Sequence, residues 1–511
     1  MAVARTRSVA LLGLTGSIVE VEADLSSQLP AVVIIGLPDA ALGEARDRVR
    51  SAASNAGCPL PTRRLTVNLS PAALPKHGSG FDLAIALACL GAAGEVPAAS
   101  IDRVVHLGEL GLDGRLRPID GILPAVRAAA RAGHDLVMVP TANAAEAALV
   151  PGVRVVGVAS LLEAAIWHGA AYPPCEAEPV LAPPVEEFAV EPPGDLADVA
   201  GNTDAVDAML VAAAGGHHLS LLGPPGAGKT MLAARLPGLL PDLDADEALE
   251  VASIRSLAGL RPNGSLSFRP PFEAPHHTAT AAAIVGGGSR LIRPGAAARA
   301  THGVLFLDEA PEFPRAVLDV LRQPIESGMI SIHRANAVAT FPARFQLVLA
   351  SNPCPCGNAG TSECTCAPIV QRRYLARLSG PLLDRIDLQL RVPRISVAAM
   401  RMGGDGSTIS TAEARRRVTE ARHAAADRLR GTPWRTNAQV PGPWLRGAGR
   451  LHPGGHATKG IDRMLELGAI TMRGYDRILK VAWSLADLTG AARPGAEHVG
   501  RASFFKTGAE A

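Results

Sequence analysis

The sequence predicts a multidomain α/β protein that closes with a helical domain, and three observations carry that prediction. Short β-branched runs such as Val32 to Ile35 and Leu65 to Val67 alternate with alanine-rich helical patterns such as Pro124 to Arg131 over the first 170 residues. From Tyr172 to Asp195 there are seven prolines and six acidic residues but no Lys or Arg, the composition of an extended linker. Past residue 394 the chain becomes rich in Arg and Ala, with helical patterns at Thr411 to Arg430 and Arg473 to Leu488. The expected divisions are an α/β domain over 1–170, a linker over 171–195, a second α/β unit over 196–393 and a helical lid over 394–511. With 511 residues, 48% of them hydrophobic, the chain can bury a large interior, and two to four domains are expected.

The charge balance excludes a strongly basic or acidic protein, because the formal net charge is only +2. Counted by region, Lys and Arg against Asp and Glu give −1 for the first domain, −6 for the linker, 0 for the second unit and +9 for the lid. A polyanion would therefore be met near the lid or at small local patches. Near the N-terminus, Arg5 and Arg7 precede a short apolar run, but Gly13, Gly16, Glu20 and Glu22 interrupt it, so no targeting peptide is expected. The longest apolar run, Leu83 to Gly94, falls short of the roughly 20 residues that cross a bilayer. It reads as a buried helix, with no membrane partner. Seven cysteines, four of them between Cys354 and Cys366, suit reduced thiols or a metal site better than an extracellular disulfide framework, so a cytoplasmic location is expected.

The chemistry sits in the second unit. Gly223-Pro224-Pro225-Gly226-Ala227-Gly228-Lys229-Thr230 fits G-x-x-x-x-G-K-[ST], follows the apolar strand pattern Leu219 to Leu222 and precedes the helix former Met231 to Leu236. Its glycines let the backbone wrap closely, so that successive N–H groups and a helix N-terminus face phosphate oxygens. In such a loop Lys229 neutralises the β- and γ-phosphates of ATP and Thr230 ligates Mg²⁺. About 80 residues later the buried-strand run Gly303 to Leu307 ends in Asp308-Glu309. A carboxylate there can hold the metal, and its neighbour Glu309 can polarise the attacking water. A third strand pattern, Phe345 to Ala350, ends in Ser351-Asn352 and offers a neutral hydrogen-bonding group to the γ-phosphate. Arg385 stands between Asp384 and Asp387, where a local ion pair is the plain alternative.

Together these motifs, in this order, resemble the YifB/ComM family of magnesium-chelatase-like AAA+ ATPases over nearly the whole chain. Beyond the generic ATPase residues, the resemblance rests on Pro275-His-His-Thr278, Gly286-Gly-Gly288, Pro294-Gly295, Asn352-Pro-Cys-Pro-Cys-Gly357, Leu378-Ser-Gly-Pro381 and Arg473-Gly-Tyr-Asp-Arg477. It implies a hexameric ring with sites between subunits, Arg385 as an arginine finger in the neighbour's site and Arg473 as the lid's sensor arginine. It also implies that Ile284 to Ala300 forms a helix-2 insertion and Met329 to Phe341 a β-hairpin, both facing the pore, with Arg290, Arg293 and Arg334 as the DNA-touching residues. The chain departs from the family pattern at Gly201-Asn202, at Ala205-Val206-Asp207 and at Val481-Ala-Trp483-Ser484, which touches expectations for adenine contacts and lid docking.

The first domain resembles the Lon-protease-like fold through Gly36-Leu-Pro-Asp39, Val67-Asn-Leu-Ser70, Phe81-Asp-Leu83 and Gly108-Glu-Leu110. Lon peptidases pair a nucleophilic serine with a lysine base. Here Ser79 falls one place off, Gly80 takes the nucleophile's place and Leu123 the lysine's, so a structural or partner-binding domain is expected over a Ser79–Lys76 dyad. Cys354, Cys356, Cys364 and Cys366 offer four thiolates that could enclose a tetrahedral Zn²⁺ beside Asn352, or remain reduced thiols.

The function that the resemblance implies is an ATP-driven DNA translocase promoting branch migration when incoming single-stranded DNA is integrated by homologous recombination. The competing readings are a chelatase motor driving metal insertion through a partner subunit, and an ATP-switched scaffold. The sequence has no D-x-S-x-S metal-adhesion motif.

Overall fold

The computed structural model describes residues 3–36, 39–74, 76, 78–181, 194–199, 201–262, 264–288, 292–334, 337–394, 409–447 and 451–507. Most of the proline-rich linker, 182–193, and Arg290 lie outside the described residues.

The N-terminal part is a seven-stranded mixed sheet in the order Ala31–Ile35, Arg64–Ser70, Thr15–Ser26, Ala4–Leu12, Val105–His106, Leu136–Pro140 and Arg154–Val158. Period-two alternation sets its register: Leu65, Val67 and Leu69 point inward opposite Leu25, Ala23 and Val21. The apolar run expected to form a buried helix is the helix Asp82–Ala93, closed by Gly94 in the left-handed conformation and packed on the sheet. Gly91 of this helix packs closely, since a Cβ there would sit 2.6 Å from Ile101 Cδ1 and make that side chain shift.

The second part carries a five-stranded parallel sheet in the order Phe272–Glu273, Val304–Leu307, Gln346–Ser351, Leu219–Leu222 and Leu388–Arg391. Its three inner strands are largely apolar and buried, as expected of a parallel sheet covered on both faces. The first strand in sequence lies between the last two, so a crevice opens at the carboxyl ends on either side of Leu219–Leu222. All the phosphate-binding motifs read from the sequence follow strands that end at this edge.

Helices Thr411–Arg428 and Met472–Thr489 pack on Thr203–Gly215, and Thr411–Arg428 also packs on Lys229–Leu239. One apolar core continues from the sheet into this C-terminal helical region, through Leu210, Leu232, Val418, Leu479 and Trp483. The unusual Trp483 is buried there: its indole N–H donates to the Leu451 carbonyl at 2.8 Å and the Arg428 guanidinium covers its face at 4.1 Å. Arg428 is itself held by Asp487 and Asn437.

The N-terminal part is joined to the second by helix Ile122–Arg131 lying on helix Ala245–Leu257, with Val126 and Ala129 packed beside Leu249 and Ala252. Asp120 anchors the junction by pairing with Arg261 at 2.9 Å and Arg293 at 3.1 Å. Gly13, at φ +62°, makes the tight turn of the first hairpin and brings it against the backbone of Thr340. Among the described residues no helix is long and apolar enough to cross a membrane.

Candidate nucleotide site

The loop from Gly223 to Gly228 leaves the end of the central strand, with Gly226 and Gly228 at φ +75° and +87°, values an L side chain adopts only with strain. The Gly223 N–H donates to the Ser351 carbonyl at 3.0 Å, tying the loop to the neighbouring strand. Lys229 opens the helix Lys229–Leu239. Its ammonium donates to the carbonyls of Gly223 at 2.7 Å and Pro224 at 2.9 Å, and to Asn352 Oδ1 at 3.1 Å. Burial lowers its pKa, opposed by the charges of Asp308 and Glu309. Asn202, at one of the departures from the family pattern, is buried and donates to the Ala227 carbonyl at 3.4 Å, so it braces the loop from behind.

Strand order brings the acidic pair to the same edge. Asp308 Oδ2 accepts from the Thr230 hydroxyl at 2.8 Å, and Asp308 Oδ1 accepts from the Glu309 N–H at 2.9 Å. The Thr230 hydroxyl and the Asp308 carboxylate are hard oxygen donors side by side, a set that would suit Mg²⁺. Glu309 sits at φ +51°, a left-handed conformation uncommon for a side-chain residue and the kind of local strain that gathers at functional sites. Its carboxylate faces His277, Nδ1 to Oε2 3.6 Å, and the His277 ring lies against His276 at 4.0 Å between centroids. Pro275-His-His-Thr278 is legible in the sequence as a motif, without a chemical role. The contact spans 32 residues of sequence and depends on adjacent parallel strands, so no local pattern announces it.

Arg385 and Arg473 lie apart from this edge. Leu388–Arg391 runs parallel to Leu219–Leu222 with Leu388 opposite Leu219, so Arg385 precedes the strand at the end remote from the phosphate loop. That is on the order of 10 Å of strand away. Arg477 donates to the buried Asp387 at the same remote end, and Arg473 stands exposed one helical turn earlier. Asp387 also lies 3.4 Å from His217 Nδ1. Burial alone would raise its pKa, but Arg477, His217 and His218 hold it well below the usual carboxylate range.

The four cysteines converge. Cys354 Sγ lies 3.3 Å from Cys356 and 3.9 Å from Cys364, Cys356 lies 3.7 Å from Cys364, and all four sulfurs lie within 4.8 Å of one another. Four thiolates about 2.3 Å from a tetrahedral Zn²⁺ stand roughly 3.8 Å apart, so the set fits that ion. The cluster adjoins the phosphate loop, for Gly357 at φ +80° lies against the ring of Pro225.

Helices Ala281–Val285 and Ala296–Arg299 flank a short ladder of Gly286–Gly287 with Arg293–Pro294, and Met329–Arg334 pairs with Ala337–Pro342 in a hairpin. Arg334 donates to the Gly288 carbonyl, joining hairpin to insertion, while Arg293 is paired with Asp120. In the first domain the Ser79 hydroxyl donates to Glu109, and the buried Lys76 ammonium rests on the Pro71 and Leu74 carbonyls. The hydrogen bonds of the two residues thus lead away from each other.

The family described as magnesium chelatase, subunit ChlI matches residues 195–400, subunit ChlI of Mg-chelatase matches 21–143, and magnesium chelatase, subunit ChlI C-terminal matches 408–506. Competence protein ComM of Haemophilus influenzae is 40% identical over 510 residues, covering 99% of this chain and 98% of its own length. The chain belongs to the YifB/ComM family. Among other YifB/ComM relatives, the uncharacterized protein YifB of Escherichia coli is 39% identical over 481 residues, 94% of this chain and 92% of its own. An uncharacterized protein of Mycobacterium tuberculosis is 50% identical over 513 residues, the full length of both chains. Membership in YifB/ComM makes the chain a magnesium-chelatase-like AAA+ ATPase, for which ATP and Mg²⁺ are the implied substrate and cofactor.

Proposed function

We propose that this YifB/ComM protein is an ATP-driven DNA translocase, assembled as a hexameric ring, that promotes branch migration during recombination of incoming DNA in competence. The observation that carries the reading is the split of the ATPase machinery. Lys229, Thr230, Asp308, Glu309 and Asn352 gather at one edge of the parallel sheet, while Arg385 belongs to the opposite edge. A chain so divided supplies a nucleotide cradle to one neighbour and an arginine to the other.

In this scheme the loop amides and Lys229 hold the β- and γ-phosphates, and Thr230 and Asp308 would hold Mg²⁺, whose charge would offset that of the phosphates. Glu309 accepts a proton from the attacking water as it approaches the γ-phosphorus. Asn352, bonded to Lys229, registers the γ-phosphate. Arg385 stabilises the transition state in the neighbour's site, and Arg473 serves as the lid's sensor arginine. Arg290, Arg293 and Arg334 supply the cations that meet the DNA backbone, Arg293 by exchanging its Asp120 partner for phosphate.

The test is steady-state ATP hydrolysis with and without branched DNA, in the parent and in the Arg290→Ala/Arg293→Ala/Arg334→Ala variant. DNA should stimulate the parent, and the triple variant should lose stimulation and show a flatter salt dependence of binding while keeping its DNA-free rate. A parent indifferent to DNA would favour the chelatase-type motor or the scaffold.

A further inference from the structure

We propose that Glu326 is a positioning residue that holds Arg385 withdrawn from the neighbouring subunit's nucleotide and ties its release to movement of the Met329–Pro342 hairpin. This rests on the reading that Arg385 serves another chain's site.

A side chain that must reach across an interface should project outward, yet the Arg385 side chain is only 13% exposed. Its guanidinium is occupied from within: Nη1 donates to the Pro381 carbonyl and Nη2 lies 2.7 Å from Glu326 Oε1. Its Nε is buried without an acceptor among the described residues, so the inward position is incompletely satisfied. Glu326 is 53% exposed and lines a cleft of about 860 Å³, which gives its carboxylate room to swing away. Exchange of Glu326 for a phosphate would swap one bidentate-capable anion for another, the exchange to which a planar guanidinium is suited.

Glu326 also has a stiff connection to the hairpin. It lies in the helix Arg322–Ser327, whose end is fixed to both hairpin legs. The Ser327 hydroxyl donates to the Gln323 carbonyl at 3.0 Å and accepts from the Met329 N–H at 3.2 Å. Gly328, at φ +67°, donates to the Pro324 carbonyl and accepts from the Ala343 N–H, each at 2.8 Å. A displacement at Arg334 on the hairpin tip would travel down the six-residue ladder to this corner and shift Glu326 relative to Arg385. Occupancy of the pore would then free the arginine for the next subunit, a coupling between two sites through one two-position ion pair.

The experiment measures ATP hydrolysis by the full-length assembled protein, with and without branched DNA, for the parent, Glu326→Gln, Glu326→Asp, Arg385→Ala and the Glu326→Gln/Arg385→Ala double variant. Glu326→Gln should raise the DNA-free kcat several-fold at unchanged KM for ATP and shrink the stimulation ratio by the same factor. Glu326→Asp, which keeps the charge, should restore parental control, and the double variant should be as slow as Arg385→Ala. A DNA-free rate in Glu326→Gln equal to or below the parent's, or a gain that survives in the double variant, overturns the proposal. Parental turnover in Arg385→Ala instead overturns the shared-site reading beneath it.

Discussion

His277 Nδ1 stands 3.6 Å from Oε2 of Glu309, joining the loop after Phe272–Glu273 to the end of Val304–Leu307. The imidazole borders the carboxylate proposed to polarise the attacking water, and Glu309 holds a strained backbone conformation there. His277→Ala should therefore lower kcat roughly ten-fold through loss of orientation, a fraction of the full general-base effect. ATP affinity should stay near parental in a nucleotide-binding titration. Glu309→Gln should go further and trap bound ATP, whereas Lys229→Ala should abolish binding. Equal loss of affinity in both would break the role assignment.

Arg385→Ala should bind ATP nearly as the parent does and lose about 10³-fold or more in turnover, the range of an arginine finger. Because its phosphate partner belongs to another chain, mixing this variant with Lys229→Ala subunits should restore part of the activity. Turnover that stays absent at every mixing ratio argues for a site complete within one chain.

The cysteine geometry predicts about one Zn²⁺ per chain by metal analysis of purified protein. Cys364→Ser should reduce zinc content and lower the melting temperature. Chelation should act on Asn352 as well, through the Cys354 to Gly357 loop packed on Pro225, and so weaken ATP binding. Metal-free protein with parental melting would leave four reduced thiols.

Stability should fall as the pH drops from about 6.5 towards 4. Burial lowers both His168 and His218 to about 4, so the folded chain keeps them neutral while the unfolded chain takes up protons below about 6.5. The Leu347 N–H donates to His218 Nδ1 at 3.0 Å, which requires that nitrogen unprotonated. Lower pH therefore favours unfolding, and urea midpoints should be lower at pH 5 than at pH 7.5. Asp387 acts in a lower window: its depressed pKa gives stability that is complete above its unfolded value and lost only as the pH falls below about 4. At neutral pH, Arg477→Met should cost roughly 3 to 5 kcal/mol, because it strips a buried carboxylate of its main partner. An unchanged urea midpoint would refute that role.

The sequence by itself determined the features whose physics is local. Consecutive residues from Gly223 to Thr230 form a glycine-rich loop between a strand and the helix it starts, Asp308-Glu309 follows its own strand, and the apolar run at Leu83 to Gly94 buries as one helix. The two C-x-C pairs left either a metal site or free thiols open, and the fold of the loop brought the four sulfurs together. Only the tertiary structure decided which distant groups meet. His277 faces Glu309 because two parallel strands are neighbours, and Asp120 meets Arg293 across 173 residues because one helix lies on another. Ser79 turned to Glu109 rather than Lys76, and Arg385 to Glu326 rather than outward. Charges and hydroxyls find partners by distance in space, and that distance follows from strand order and helix packing rather than from spacing along the chain.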